Sequence, residues 1–456
     1  MPAPPRRASH FFVPPRFFRT TGSVTRFRKM RFLFSVGPYL PMRLLHTADW
    51  HLGQTLHGIA RDHEHARFLD WLLDILDERS VDALLIAGDV FDGQNPPIPA
   101  LGLFYRFLAR AKARRPALDI VVVAGNHDSG SRLEAPSPLL QEMGVHVVGG
   151  LPVGEDGRFD PDRLLFPLRG EDGRVEARCV AMPYLRPADL PPAEVEDGTD
   201  PLIEGVRSVY AMAVEAVRRQ LGPGEALVLT GHCYMRDGAL SELSERKILG
   251  GNLHALPVDV FPEDAAYVAL GHLHRAQAVG GREEVRYSGS PLPLAVDEEP
   301  YPHQVVLADI ADGRLVGREA LRVPRFVALH RVPGGGRFAT PDDALAALRA
   351  LELEDGLPRE SWPFVEVSVE LAEPRPALRE EVAAALTGRP ARLVKLAVRL
   401  IGRGETLAES VPHMELADLA PEDVFQRLYR RSHDGDPDPA LLAAFQELVA
   451  TVQEGA

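Results

Sequence analysis

Cysteine is scarce in this 456-residue chain: Cys179 and Cys233 are the two present, and they form no Cys-x-x-Cys pair. That excludes a disulfide-stapled scaffold and a thiolate zinc ribbon, and it fits a reducing cytoplasm. Long apolar runs are also missing; none approaches the roughly 18 residues that a membrane span needs. No Gly-x-x-x-x-Gly-Lys-Ser/Thr stretch occurs, so this chain offers no ATP site and ATP hydrolysis would come from elsewhere. Positive charge is in deficit, with 51 Lys+Arg against 65 Asp+Glu and a net charge of −14. Gripping nucleic acid by bulk charge is therefore disfavoured, although a local basic groove is still allowed. What is present is ordinary: 45% hydrophobic and 25% charged residues exclude a disordered or collagen-like chain. The length predicts two or three domains, and the sequence shows no repeat of the solenoid type.

Charge is unevenly placed. Residues 1–41 hold Arg6, Arg7, Arg16, Arg19, Arg26, Arg28, Lys29 and Arg31 and no acid, so the excess acid lies wholly beyond them. This stretch is rich in Pro and Phe and lacks periodicity. It is expected to be an untranslated or disordered leader, with Met42 as the working start; a basic arm for nucleic acid and a transit segment are the alternatives.

From Met42 the chain alternates strands and helices. Short apolar runs recur as Leu44-Leu45, Ala83-Leu84-Leu85-Ile86, Ile120-Val121-Val122-Val123, Ala226-Leu227-Val228-Leu229 and Tyr267-Val268-Ala269-Leu270. Such runs suit strands buried on both faces. Phe68, Trp71, Leu72, Ile75 and Leu76 repeat at helical spacing, as do Leu101, Phe104, Tyr105 and Leu108, which predicts crossover helices and an α/β layering.

Each run ends in a polar group with possible metal ligands. The first leads to Asp49-Trp50-His51 and the second to Gly88-Asp89-Val90-Phe91-Asp92. The third leads to Gly125-Asn126-His127-Asp128, the fourth to Gly231-His232 and the fifth to Gly271-His272-Leu273-His274. Ligands in α/β layers bind outside the carboxyl ends of strands, where all five groups fall. Any one group is commonplace, and a lone His is usually a satisfied structural residue. Five in order, each closing a strong strand, make a metal centre. Two Asp, one Asn and four His, before counting His127, suffice for two ions sharing a carboxylate.

The order Asp-x-His, Gly-Asp-x-x-Asp, Gly-Asn-His-Asp, Gly-His, Gly-His-x-His resembles the calcineurin-like metallophosphoesterases. The wording from Leu45 to Gly53, Gly88 to Asp92, Leu270 to Arg275 and Tyr287 to Pro291 is similar to that of the SbcD family of bacterial nuclease subunits. The resemblance runs from about residue 42 to 450, densest before residue 300. It implies a four-layer α/β/β/α sandwich. It further implies one metal on Asp49, His51, Asp89 and His274 and a second on Asp89, Asn126, His232 and His272, with Asp89 bridging. Oxygen and imidazole donors without thiolate suit Mn²⁺ or a related ion. Two such cations can hold the attacking and leaving oxygens of an in-line displacement. The family implies that His127 assists at the scissile phosphate or the leaving oxygen. Asp92 and Asp128 are expected to orient imidazoles; relatives often carry a histidine at Asp92.

Other residues have plainer readings. Cys233, beside His232, reads as a small buried hydrophobe. His57, His63 and His65 read as surface residues, and Tyr184 as a packed loop tyrosine with base stacking as its alternative. Arg106, Arg110, Lys112, Arg114 and Arg115 read as a solvated helix face, or alternatively as an edge tracking DNA phosphates. Arg275 follows the last ligand directly and has the better claim to substrate phosphate.

The expected organisation is a nuclease domain over 42–324, an α+β capping and DNA-recognition domain over 325–403, and a helical partner-binding segment over 404–456. Within the cap, helices are expected near 341–352 and 376–387, with an alternating strand over 365–369 and a second strand over 393–400. The resemblance implies a cytoplasmic, Mn²⁺-dependent nuclease with 3′→5′ exonuclease activity on double strands and endonuclease activity on single strands and hairpins. It would serve recombination, replication and repair with an SbcC-like ATPase, as a homodimer within a heterotetramer and with no membrane. A small-molecule or cyclic-nucleotide phosphodiesterase of the same superfamily is the alternative, against which the extra domain speaks. A catalytically inactive scaffold would show a lost ligand, and all seven positions are filled.

Overall fold

The computed structural model describes residues 41–190, 200–236, 238–239 and 255–401, with single positions at 429 and 441. The expectations for the leader and for the C-terminal helices lie outside the described residues.

The five apolar runs become the central strands of two six-stranded sheets. The first sheet runs Arg314–Arg322, Gln304–Ala311, Met42–Thr47, Ala83–Ala87, Asp119–Val123, Val145–Val148. The second runs Gln277–Val279, Arg282–Tyr287, Tyr267–Gly271, Ala226–His232, Val175–Val180, Leu165–Arg169. Strand alternation decides which core each side chain enters. Leu44, Leu85, Val121 and Val123 face the second sheet and pack with Cys179, Leu229 and Val268. Leu45, Leu84, Ile86 and Val122 face the other way, onto Phe68, Leu72, Phe104 and Phe107. Those aromatics belong to the helices Asp62–Glu78 and Ile98–Arg114, at the spacing the sequence displays. The helix Pro201–Arg218 covers the second sheet with Val209, Tyr210, Ala213 and Val217. It begins where the Asp200 carboxylate accepts from the Leu202 amide and Pro201 takes the first helical position. The result is helix, sheet, sheet, helix, with the ends of five central strands on one side.

Beyond residue 325, the strands Leu329–Val332, Phe364–Leu371 and Arg392–Leu400 form a parallel sheet of their own. The helices Pro341–Ala350 and Leu378–Leu386 are its crossovers, close to the expected spans, and enclose Val332, Leu345, Leu348, Val365, Val367 and Val382. The alternating strand at 365–369 is the central one of the three, and its polar residues Glu366 and Ser368 are buried. Glu366 is buried because Arg331 Nε and Lys395 Nζ meet its carboxylate at 2.9 and 3.0 Å. Leu329 and Phe364 of this sheet pack on Leu56 of the hairpin Thr55–Ala60 and on Val296, which joins the cap to the sandwich.

Candidate metal centre

Backbone geometry builds the site before any side chain does. Asp49, His51, Asp89 and His272 all sit at positive φ (55°, 45°, 49° and 108°), a region that side-chain-bearing residues rarely adopt. Hydrogen bonds hold them there. The amides of Asp49 and His51 donate to the carbonyls of Gly88 and Asp89 at 3.0 Å, which locks the first two strand-end loops together. The Asp128 carboxylate, fully buried, accepts from the amides of Gly125 (2.8 Å), Phe91 (2.9 Å) and Val90 (3.1 Å), tying the second loop to the third. Asp128 thus orients backbone loops, not an imidazole as the sequence suggested. Two glycines are steric necessities: a Cβ on Gly125 would collide with Asp89, and one on Gly271 with the Ala87 carbonyl.

The seven expected ligands converge. Asp49, His51 and His274 offer donor atoms within 4.8 Å of one another, and so do Asp49, Asp89 and His232. Asn126 Oδ1 lies 2.9 Å from both His232 Nε2 and His272 Nδ1. The His272 amide donates to Asp49 Oδ1 at 2.9 Å, and the His127 amide to Asp89 Oδ1 at 2.8 Å. Three of the four imidazoles are aimed from behind. His232 Nδ1 donates to the Ala87 carbonyl (2.9 Å), His51 Nδ1 to Asp92 Oδ1 (3.2 Å) and His274 Nδ1 to Glu298 Oε1 (2.8 Å).

His127 is half-buried, its ring 4.8 Å from that of His51, and its Nδ1 donates to the Asp92 carbonyl at 3.0 Å. That bond leaves Nε2 available to a bound phosphate. His127 also lies within 4.8 Å of His51 and Asp89, closer to the donor cluster than its separate role required.

Buried charge gives the site its electrostatics. Burial opposes ionisation of Asp89, but the His232 imidazolium against it wins and holds the carboxyl well below the usual range. Burial likewise opposes charging His232, yet Asp89, at 3.3 Å, raises it to about 9. His272 is lowered to about 3, by burial first and then by the His232 charge. Asp128 is raised to about 6 by burial and by Asp89. The donor set fits divalent cations. Asp49 Oδ2 and His51 Nε2 are buried with no hydrogen-bond partner, a costly arrangement that a cation would relieve.

The remaining candidates divide. Arg275 is exposed at the rim and stacks over Tyr301 at 5.9 Å. Tyr184 meets the edge of His232 at 6.2 Å and shares a small apolar cavity with Cys233, Tyr210 and Leu256. Arg110 and Arg114 pair with Asp70 and Asp74 of the neighbouring helix, while Lys112 and Arg115 donate to backbone carbonyls of Leu118 and Val81. Those four therefore serve the sandwich. His57 is exposed and His63 half-buried against Ser361, but His65 is fully buried, contrary to its surface reading, because it follows Arg61 and Glu64 into the interior. Glu298 was missed altogether. It sits in the acidic run Asp297-Glu298-Glu299, a pattern that signals solvent.

The comparisons agree with this architecture. Residues 42–276 match the family described as calcineurin-like phosphoesterase, and residues 325–433 one described as type 5 capsule protein repressor C-terminal domain. The SbcD subunit of the nuclease SbcCD from Rhodobacter capsulatus is 43% identical over 390 residues, spanning 84% of this chain and 93% of that protein. Its namesake in Escherichia coli is 31% identical over 391 residues, spanning 85% and 92%. The Bacillus subtilis protein of the same name is 39% identical over 274 residues, spanning 60% and 67%. The chain therefore belongs to the calcineurin-like phosphoesterases and, within them, to the SbcD family of SbcCD nuclease subunits.

Proposed function

We propose that the chain is the DNA nuclease subunit of an SbcCD-type complex, hydrolysing phosphodiester bonds at a two-metal centre. The observation that carries this reading is the position of Asp89: buried, at positive φ, and within reach of His51 on one side and His232 on the other. Asp49, His51, Asp89 and His274 would hold one divalent cation, and Asp89, Asn126, His232 and His272 the other, with Mn²⁺ suited to the donors. When bound, such a pair supplies Lewis-acid stabilisation of charge on the phosphate and its entering and leaving oxygens.

The chain's own residues do the rest. The Asp92 carbonyl fixes the His127 ring so that Nε2 faces a phosphate at the cations, where it donates to the scissile group or protonates the leaving oxygen. Asp92 holds His51, Asp128 holds the loops, and Arg275, exposed beside His274, would meet a substrate phosphate. Residues 325–403 act as the capping and DNA-recognition unit, and 404–456 as the segment that binds an SbcC-like ATPase. The assembly is a cytoplasmic heterotetramer around a homodimer, active on double-stranded ends and on hairpins. Among the described residues, no helix is long and apolar enough to cross a membrane.

The test is to purify the chain with and without the ATPase and to assay hairpin and blunt duplex DNA with Mn²⁺ or chelator, and with or without ATP. Metal-dependent cleavage of both substrates is expected. Hydrolysis of a small phosphodiester with both DNAs left intact would favour the small-molecule reading.

A further inference from the structure

Behind the metal ligand His274 lies a carboxylate that the motifs do not include. Glu298 is fully buried, in the single helical turn Val296–Glu298. Its Oε1 accepts from His274 Nδ1 at 2.8 Å, and its Oε2 accepts from the Leu294 amide at 2.7 Å. The Leu294 carbonyl accepts in turn from Gln54 Nε2 at 2.8 Å. Arg61, buried with its guanidinium paired to Glu64 at 2.7 Å, donates to both Gln54 Oε1 (2.8 Å) and the Pro293 carbonyl (2.6 Å). The backbone around Glu298 is fixed as well, its carbonyl accepting from His303 Nε2 (3.0 Å) and the Tyr301 amide (2.8 Å). One carboxylate oxygen is therefore tied to a braced backbone amide, which leaves the other facing the imidazole.

We propose that Glu298 is a positioning residue for the metal centre, fixing His274 with Nε2 toward the cation and strengthening that nitrogen as a donor. This rests on the reading of His274 as a ligand. The competing role is purely structural: a buried acceptor for the Leu294 amide. The two differ in what they need. A backbone N–H needs one oxygen, which a glutamine supplies. An imidazole strengthened as a donor needs the negative charge, which a glutamine lacks.

The experiment titrates Mn²⁺ into the chelator-treated full chain by calorimetry and records melting in chelator. Glu298→Gln should melt as the wild type does in chelator, yet bind one of its two Mn²⁺ about 10–100-fold more weakly, with the second ion little changed. Wild-type affinity at both sites, or equal weakening at both, would overturn the proposal. His274→Ala is the control for the reading beneath it: it should lose the same ion, and if it keeps both, the ligand assignment fails instead. Should Glu298→Gln not fold, Glu298→Asp carries the test. A smaller weakening confined to one ion supports the role, and no weakening or weakening of both ions refutes it.

Discussion

The two halves of the proposed metal centre offer the same kind of donor and differ in what stands behind it. On one side, His51 and His274 are backed by carboxylates, Asp92 and Glu298. On the other, His232 is backed by the Ala87 carbonyl, and Asn126 Oδ1 accepts from both His232 and His272. A carboxylate behind an imidazole adds negative charge and donor strength, whereas a carbonyl fixes the ring without adding charge. The carboxylate-backed half should therefore be the tighter site and fill first. The carbonyl-backed half should be the weaker one, held in part by the shared Asp89.

The strongest way to break this comparison is Asp89→Asn, which removes the one carboxylate common to both halves. Metal content should fall at both sites, and nuclease activity by roughly three orders of magnitude, about 4 kcal/mol of barrier. Metal analysis and a DNA cleavage assay on the same sample check it. Next comes His127→Ala, which should leave two metals per chain while cleavage falls about 10²–10⁴-fold. Loss of an ion would make His127 a ligand and redraw the boundary between the halves.

Asp92→Asn sharpens the comparison. Its carboxylate is 44% exposed, whereas Glu298 is fully buried, so water screens it. The expected loss is a few-fold in Mn²⁺ affinity, below the 10–100-fold usual for such partners, and confined to the carboxylate-backed half. Calorimetry decides it.

The smallest effect lies beneath both halves and separates damage to the fold from damage to the site. His46 joins the two sheets, bonding Tyr267 Oη at 3.0 Å and the Leu270 carbonyl at 3.2 Å, and is lowered to about 3 by burial and by Arg286. The unfolded chain takes up a proton near its ordinary value of 6.5 while the fold does not. Stability therefore falls as pH drops from about 6.5 toward 3, and rises again with pH. In chelator, the melting temperature should fall between pH 7 and pH 5, and His46→Gln should flatten that slope.

The contrast also explains what the sequence could reveal. The residues proposed as ligands were legible as a group because each closes an apolar strand, and the fold repeats that device five times. Asp92 and Asp128 were legible because they lie in the same short groups, although Asp128 proved to hold backbone amides. Glu298 was not, because an Asp-Glu-Glu run has the composition of a solvated turn, whereas contacts with His274 and Leu294 draw its carboxylate inside. Glu366 shows the same limit: an acid in an alternating strand, it is buried by distant partners, Arg331 and Lys395. The hairpin Gln304–Arg322 escaped notice because its outer strand alternates weakly, its buried positions being few. Local pattern records what a segment needs from its own neighbours, whereas Glu298 and Glu366 also answer to His274, Arg331 and Lys395, more than twenty residues away.

The central claim is that two cations meet at Asp89, and electron paramagnetic resonance of Mn²⁺ added to the chelator-treated full chain tests it most directly. At two equivalents the account predicts a spin-coupled signal from neighbouring ions, with isolated-ion signal only at the first equivalent. A signal of isolated ions persisting at two equivalents, or saturation at one, would contradict it.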